Sequence, residues 1–223
     1  MDGVRMRLYC SPSTPSLGPQ IFAYEAGAHV SVIQVDPVTG QAEDGRNLNE
    51  FDPFGGLPLL EIADGAMLRE PAAILQAMTM LVPSELQMPD PANLEALRLL
   101  QWQEFGSGRL ALAIDRAMTS AGVRGHAPRT TLARCLGWMD IQLGLRPYLL
   151  SDGYSIADIH IWALLYRGMP GYVTVEDHRR VKFGPFAHVQ RWFDEIEDRA
   201  AVQAVLASES RIKTVVFKLA AVK

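Results

Sequence analysis

Cysteine is scarce: Cys10 and Cys135 are the only two in 223 residues, far apart, with no CxxC and no His/Cys cluster near either. That excludes a disulfide framework and a thiolate zinc site. The five histidines, at 29, 126, 160, 178 and 188, never stand four apart around a glutamate, so the helical metalloprotease pattern is missing and no metal is expected. A basic surplus is missing too. Lys and Arg number 21 against 25 Asp and Glu, a formal charge of -4, which sets nucleic acid aside as a partner. The longest uncharged apolar-rich stretch, Pro71 to Ser84, is about 14 residues against the ~20 of a spanning helix, so a buried helix and no membrane association are expected. The opening MDGVRMRLYC alternates polar and apolar and runs into SPSTPS, without the continuous apolar core of a signal peptide, and the expected address is the cytoplasm. What is present is apolar bulk. With 48% hydrophobic and 21% charged residues, the chain can bury a sizeable core in one or two domains, which excludes disorder of the whole.

The N-terminal third alternates strand and helix signals. Arg7-Leu8-Tyr9-Cys10 reads as a strand, SPSTPS as a turn, and Leu17, Ile21 and Tyr24 as one face of a helix ending at Gly27. Val30 to Val35 is β-branched and alternating, and a polar Gly/Asp-rich stretch, Asp36 to Asn49, follows. Leu59 to Ile62 and Met67 to Leu68 read as two short strands joined at Asp64-Gly65, where glycine supplies the positive φ of a hairpin. Ile74, Met78 and Leu81 mark the next helix, giving the order βαβαββα.

Three prolines in PSELQMPDP interrupt any regular element and mark a linker at 84–91, between a domain at 1–83 and an all-helical domain at 92–223. In the second domain, stripes at helical spacing begin with Leu94, Leu97 and Phe105, then Leu132, Leu136, Met139 and Leu143. Ile156, Ile159, Ala163 and Tyr166 form a third, and Phe186, Val189, Phe193 and Ile196 a fourth. The four tryptophans, 102, 138, 162 and 192, fall in these helices and read as core. Ser155-Ile-Ala-Asp158 has the form of a capping box ahead of IHIWALLY. The cluster Arg179-Arg180-Lys182 follows Glu176-Asp177 and reads as a solvated, compensated loop. The apolar tail from Arg211 to Leu219 either folds back over a cleft or covers the second domain, the second being the simpler way to bury it.

A short mixed domain, a proline-rich linker and a helical domain containing SIAD together resemble the cytosolic glutathione transferases of bacterial type, over nearly the whole chain. The segments that carry the resemblance are Leu8-Tyr9-Cys10-Ser11-Pro12-Ser13-Thr14-Pro15-Ser16-Leu17-Gly18-Pro19, Asp52-Pro53-Phe54-Gly55-Gly56-Leu57-Pro58-Leu59-Leu60 and Leu68-Arg69-Glu70-Pro71-Ala72-Ala73-Ile74-Leu75. The resemblance implies a thioredoxin-like α+β domain followed by an all-α domain, with glutathione as co-substrate and no metal. Leu57-Pro58 would be cis and pair the Leu57 backbone with the cysteinyl part of glutathione. Glu70 would accept the γ-glutamyl ammonium, and N–H groups at the helix start its carboxylate. A hydroxyl beside the helix N-terminus would hold the thiol as thiolate. Ser13, Thr14 and Ser16 stand there; one alignment favours Ser13, another Thr14, and the same hydroxyls also suit a helix cap.

The chain departs from the family pattern in several places. Pro15 stands where beta-class members have a reactive cysteine, and Cys10 lies five residues upstream in the strand, so mixed-disulfide chemistry is disfavoured. Ala111 stands where those enzymes have a helical histidine. Pro71 replaces the usual Ser or Gly after the glutamate and removes both a hydroxyl and an N–H from the γ-glutamyl carboxylate. The loop Asp36 to Gly45 lacks the lysines that relatives use for the glycyl carboxylate, leaving Gln41 or Arg46. The electrophile would bind against Trp102 to Met118, where Phe105 and Met118 offer an apolar wall. Arg109 sits beside Gly106 and Gly108, whose presence in mid-helix implies a close approach.

The expectation is a glutathione transferase, a homodimer, that conjugates a small hydrophobic electrophile. A second reading is a non-catalytic binding or regulatory protein on the same scaffold, motivated by Pro15, Pro71 and the missing lysines. A third is specialised thiolate chemistry such as dehalogenation, ether cleavage or isomerisation.

Overall fold

A computed structural model describes residues 5–50, 52, 54–63, 65–86, 88–119, 127–151, 153–168 and 183–220, with the side chains of 118–119, 127–130 and 211–220 outside that description. Arg179, Arg180 and Lys182 lie outside the described residues. The chain divides into two units, one of residues 1–85 with 200–223 and the other of residues 86–199.

The first unit is built on β1 (Met6–Cys10), α1 (Leu17–Glu25), β2 (Val30–Gln34), β3 (Leu59–Ile62), β4 (Met67–Leu68) and α2 (Pro71–Leu81). The four strands form one sheet in the order β2-β1-β3-β4. A parallel pair needs a crossover, and α1 supplies it between β1 and β2. β3 runs antiparallel to β1, and β4 antiparallel to β3. The hairpin turns where Asp-Gly predicts: Gly65 has φ +83°, Gly65 N–H donates to the Ile62 carbonyl at 2.7 Å and Ile62 N–H to that of Ala66 at 2.9 Å. Between β2 and β3 the second helix of the expected order is a single 3-10 turn, Leu48–Glu50. Local competition explains it. Asp36 Oδ1 accepts from Val38 N–H at 2.8 Å and Thr39 N–H at 3.3 Å, and Gln41 and Ala42 bridge to Asn47 and Val35 instead of to helical neighbours. Tyr9, Val35, Ala42, Leu48 and Leu59 bury one sheet face under this loop, with Leu57 packed against them.

The second unit holds α3 (Leu94–Glu104), a wide π-helical turn at Phe105–Leu110, α4 (Ala111–Thr119), α5 (Ala127–Leu145), α6 (Ile156–Gly168) and α7 (Ala187–Glu197). The tryptophans behave as core. Trp102, Trp162 and Trp192 are buried, and their indole N–H groups donate to Leu149 O, Phe193 O and Asp158 Oδ1. Half-buried Trp138 lies against Trp102 with the rings tilted by 38° and their centroids 4.6 Å apart. Gly106 faces α6 so closely that a Cβ would lie 2.6 Å from Ile161 Cδ1, which accounts for glycine there by helix packing; a Cβ at Gly108 would meet nothing within 4 Å. Leu94 and Leu97, which begin the first apolar stripe, are both more than half exposed, while Leu99, on the opposite side of α3, is buried.

The helix α8 (Ala200–Ala220) belongs to the first unit, where it packs against α1. Its Ala201, Val202 and Val205 are buried, and the segment read as a tail continues this helix.

Asp158 of α6 is buried and hydrogen-bonded through both carboxylate oxygens. Ser155 N–H and Oγ donate to its Oδ2 at 2.9 and 2.8 Å, while Leu149 N–H and Trp192 Nε1–H donate to its Oδ1 at 2.9 and 2.8 Å. Ser155 Oγ in turn accepts from Ala157 N–H at 3.2 Å, completing the capping box. Burial pushes the Asp158 carboxyl up to about 6, against the pull of those four donors. Asp158→Ala strands several buried donors, and urea denaturation should show a loss of roughly 3 to 5 kcal/mol.

Candidate functional site

Strand register brings the three motif segments to one end of the sheet. Tyr9 pairs with Leu59 and Leu60 with Leu68. Just beyond those pairs, β1 leads into Ser11–Ser16, β3 is preceded by Leu57-Pro58, and β4 leads into Glu70-Pro71. The parallel strand β2 ends at the same place and opens the loop 36–50.

The turn after β1 is a hydroxyl network. Thr14 Oγ1 donates to the Ser11 carbonyl at 2.7 Å and lies 2.6 Å from Ser16 Oγ. Ser16 is fully buried, with its Oγ 3.3 Å from the same carbonyl and 3.3 Å from Gln20 Nε2. It stands at the N-cap of α1 but makes no side-chain cap bond, so the hydroxyls organise the turn instead of capping the helix. Ser13 is the exposed member of the three, held at φ +63°. Its N–H donates to Glu209 Oε2 of α8 at 3.4 Å, which ties α8 to this turn.

Cys10, one residue before the turn, is buried with Gln34 Nε2 3.4 Å from its sulfur. Burial, followed by the nearby Glu209 carboxylate, pushes the thiol up to about 12, so it stays protonated at neutral pH and offers no thiolate.

Leu57-Pro58 is cis, as the resemblance implies. Asp52 shapes the approach to it. Its Oδ2 accepts from Gly56 N–H at 2.8 Å, while its Oδ1 accepts from Phe54 N–H at 3.4 Å and from Arg69 Nε at 2.9 Å. Burial alone would raise this carboxyl, but Arg69 and the two N–H groups outweigh it and hold the pKa below the ordinary carboxylate value. Arg69 precedes Glu70, so a single ion pair joins the loop before the cis bond to the start of α2.

Glu70 is exposed and has φ +66°, ψ 120°. It and Ser13 are the two non-glycine residues with positive φ among the described residues. Such backbone costs on the order of 1 kcal/mol or more and concentrates where function holds a residue in place. Pro71 opens α2 at its first position, where a missing N–H is tolerated by the helix. The first turn of α2 continues through Ala72 and Ala73 to Ile74, whose N–H donates to the Glu70 carbonyl at 2.9 Å.

Arg46 and Gln41 diverge. Arg46 donates through Nε to Asp44 Oδ2 at 2.9 Å and through both terminal nitrogens to Glu61 at 3.2 and 2.7 Å, with its guanidinium 4.9 Å from the Tyr9 ring centroid. Tyr9 OH donates to Asp44 Oδ2 at 2.9 Å. Gln41 is exposed on the same loop.

In the second unit, half-buried Phe105 lies against Trp102 and Trp138 at 5.6 and 4.7 Å, and exposed Arg109 lies near enough to Cys135 of α5 to lower its thiol pKa slightly against the rise from burial. Met118 is in α4, with its side chain outside the described residues. Ser107 Oγ meets His160 Nε2 at 3.2 Å; burial lowers that imidazole to about 4, which keeps it neutral. Sequence reasoning passed over Asp52, Glu61 and Glu209. Only Asp52 carries a local signal, an Asx residue ahead of a Gly pair.

Asp52 carries a pH signature. Its folded pKa is depressed, so its stabilisation is fully present above the unfolded value near pH 3.9 and is lost as pH falls through the folded value. Asp52→Asn should cost about 1 to 2 kcal/mol at pH 7, discounted for the partly exposed Arg69, and the gap in Tm to the wild type should close below about pH 4.

No family model matches the chain. Among solved structures, it is similar to the bacterial glutathione S-transferase BphK, solved as a ternary complex, with 30% identity, a TM-score of 0.77 and coverage of 92% of this chain and 99% of that one. A sphingomonad glutathione S-transferase complexed with glutathione aligns at 27% identity and a TM-score of 0.75, covering 92% of this chain and 98% of that one. The curated glutathione S-transferase GstA of Escherichia coli O157:H7 is 21% identical over 206 residues, 92% of this chain and 98% of GstA. With 30% identity sustained over nearly the full length of both chains, and the three motif segments meeting at one sheet end, this chain belongs to the cytosolic glutathione S-transferase family, of bacterial type.

Proposed function

We propose that the first unit binds glutathione at the end of its sheet and holds its sulfur as thiolate for attack on a small hydrophobic electrophile. What carries the reading is the convergence of Ser13, Leu57-Pro58 and Glu70 through strand register. The cysteinyl backbone of glutathione pairs with Leu57. Its γ-glutamyl ammonium meets Glu70, and the carboxylate of that group turns to the N-terminus of α2, without the donor that Pro71 lacks.

Of the three hydroxyls, Ser13 is the one assigned to sulfur. Thr14 and Ser16 are turned toward each other and toward the Ser11 carbonyl, whereas Ser13 is exposed at the turn. A hydroxyl donating to sulfur stabilises thiolate over thiol, and the thiol proton leaves to solvent. The thiolate then forms a sulfur–carbon bond with the electrophile as the leaving group departs with its electron pair. Cys10 takes no part, since its thiol is buried and protonated.

The protein acts as a homodimer in the cytoplasm under this proposal. Exposed Leu94, Leu97 and Leu100 on α3 support the association, because an apolar patch of that kind calls for cover. Sedimentation equilibrium reads the assembly directly.

Isothermal titration of glutathione into the wild type and a Glu70→Ala variant tests the site. Binding in the wild type, weakened by roughly one to two decades in the variant as a charge-assisted contact is lost, is the expected result. Equal binding by both proteins removes Glu70 from the site, and no binding by the wild type favours the non-catalytic reading motivated by Pro71.

A further inference from the structure

We infer that the thiol this site takes best is a γ-glutamyl-cysteinyl compound whose far carboxylate is masked as an amide, in preference to glutathione with that carboxylate open. The inference rests on the glutathione-site reading above and concerns the end of the ligand farthest from Glu70.

A ligand paired with Leu57 and anchored at Glu70 sends its other end past the loop 36–50, whose Ala42 and Leu48 share the apolar cluster against which Leu57 packs. That loop carries Asp36, Glu43, Asp44 and Glu50 against one cation, Arg46. Across residues 1–85 there are eleven acidic residues and four arginines. Arg46 is already claimed: its guanidinium spans Asp44 and both oxygens of Glu61, the latter in the parallel fork that guanidinium and carboxylate form best. Two more arginines are also paired, Arg7 with Glu61 and Arg69 with Asp52.

A free carboxylate arriving here meets acidic side chains, and recruiting Arg46 would break its bonds to Glu61 or Asp44. An amide brings no charge. Its N–H suits the carboxylates of Glu43 and Asp44, and its carbonyl suits the exposed side-chain amide of Gln41. A like charge held about 7 Å away in water-like surroundings costs roughly a factor of three in affinity.

Calorimetric titration of the full chain at low ionic strength, with glutathione and with its glycyl amide, tests this. The amide should bind at least about threefold more tightly, and the difference should shrink as salt is added. A Glu61→Gln variant, checked for an intact Tm, should release Arg46 and strengthen glutathione binding while leaving the amide unchanged. Equal or tighter binding of glutathione by the wild type overturns the inference and leaves the site standing. Failure of both thiols to bind overturns the inference and the glutathione reading together.

Discussion

Backbone pairing of Tyr9 with Leu59 and of Leu60 with Leu68 is the constraint from which the site follows. A strand shifted by one residue turns every side chain to the other face, and here it would also move Leu57 away from the turn after β1 and Glu70 away from Leu57. The apolar pattern holds the register, with Leu8 and Leu60 buried on one face and Tyr9 and Leu59 on the other. The polar chemistry is then mounted on the ends of a sheet that apolar burial has already aligned, and one ion pair, Asp52 with Arg69, clamps two of its segments together.

Local signals in the sequence proved readable where the physics is local. The hairpin at Gly65, the start of α1 after its hydroxyl-rich turn and the SIAD capping box each occupy a few adjacent residues, and each is realised in the fold, while the cis bond at Leu57-Pro58, also present, was implied by the family resemblance. What the sequence hid is separated along the chain. Arg46 and Glu61 are 15 residues apart, Asp52 and Arg69 are 17, and Ser13 and Glu209 are 196, and no periodicity links such partners. The stripe on α3 teaches a related point. Leu94 and Leu97 were legible as an apolar face, but spacing alone does not say what covers that face, and within this chain both are exposed.

Two departures from the family pattern have different consequences in the structure. Pro71 fits α2 well, since the first helical position needs no donor, so it removes an N–H from the helix terminus without breaking the helix. The missing lysines act through charge: Arg46 remains in the loop but serves as the centre of an ion-paired cluster beneath Tyr9 instead of a solvent-facing cation.

The central claim is that Ser13 holds the bound sulfur as thiolate, and the most direct test follows the ultraviolet absorbance of the thiolate in the glutathione complex against pH, in the wild type and in Ser13→Ala. The account predicts an apparent pKa of the bound thiol about one to two units below the free value near 8.5, returning toward that value in the variant. The same pKa in both proteins, or a bound thiol that titrates like the free one in the wild type, would contradict it.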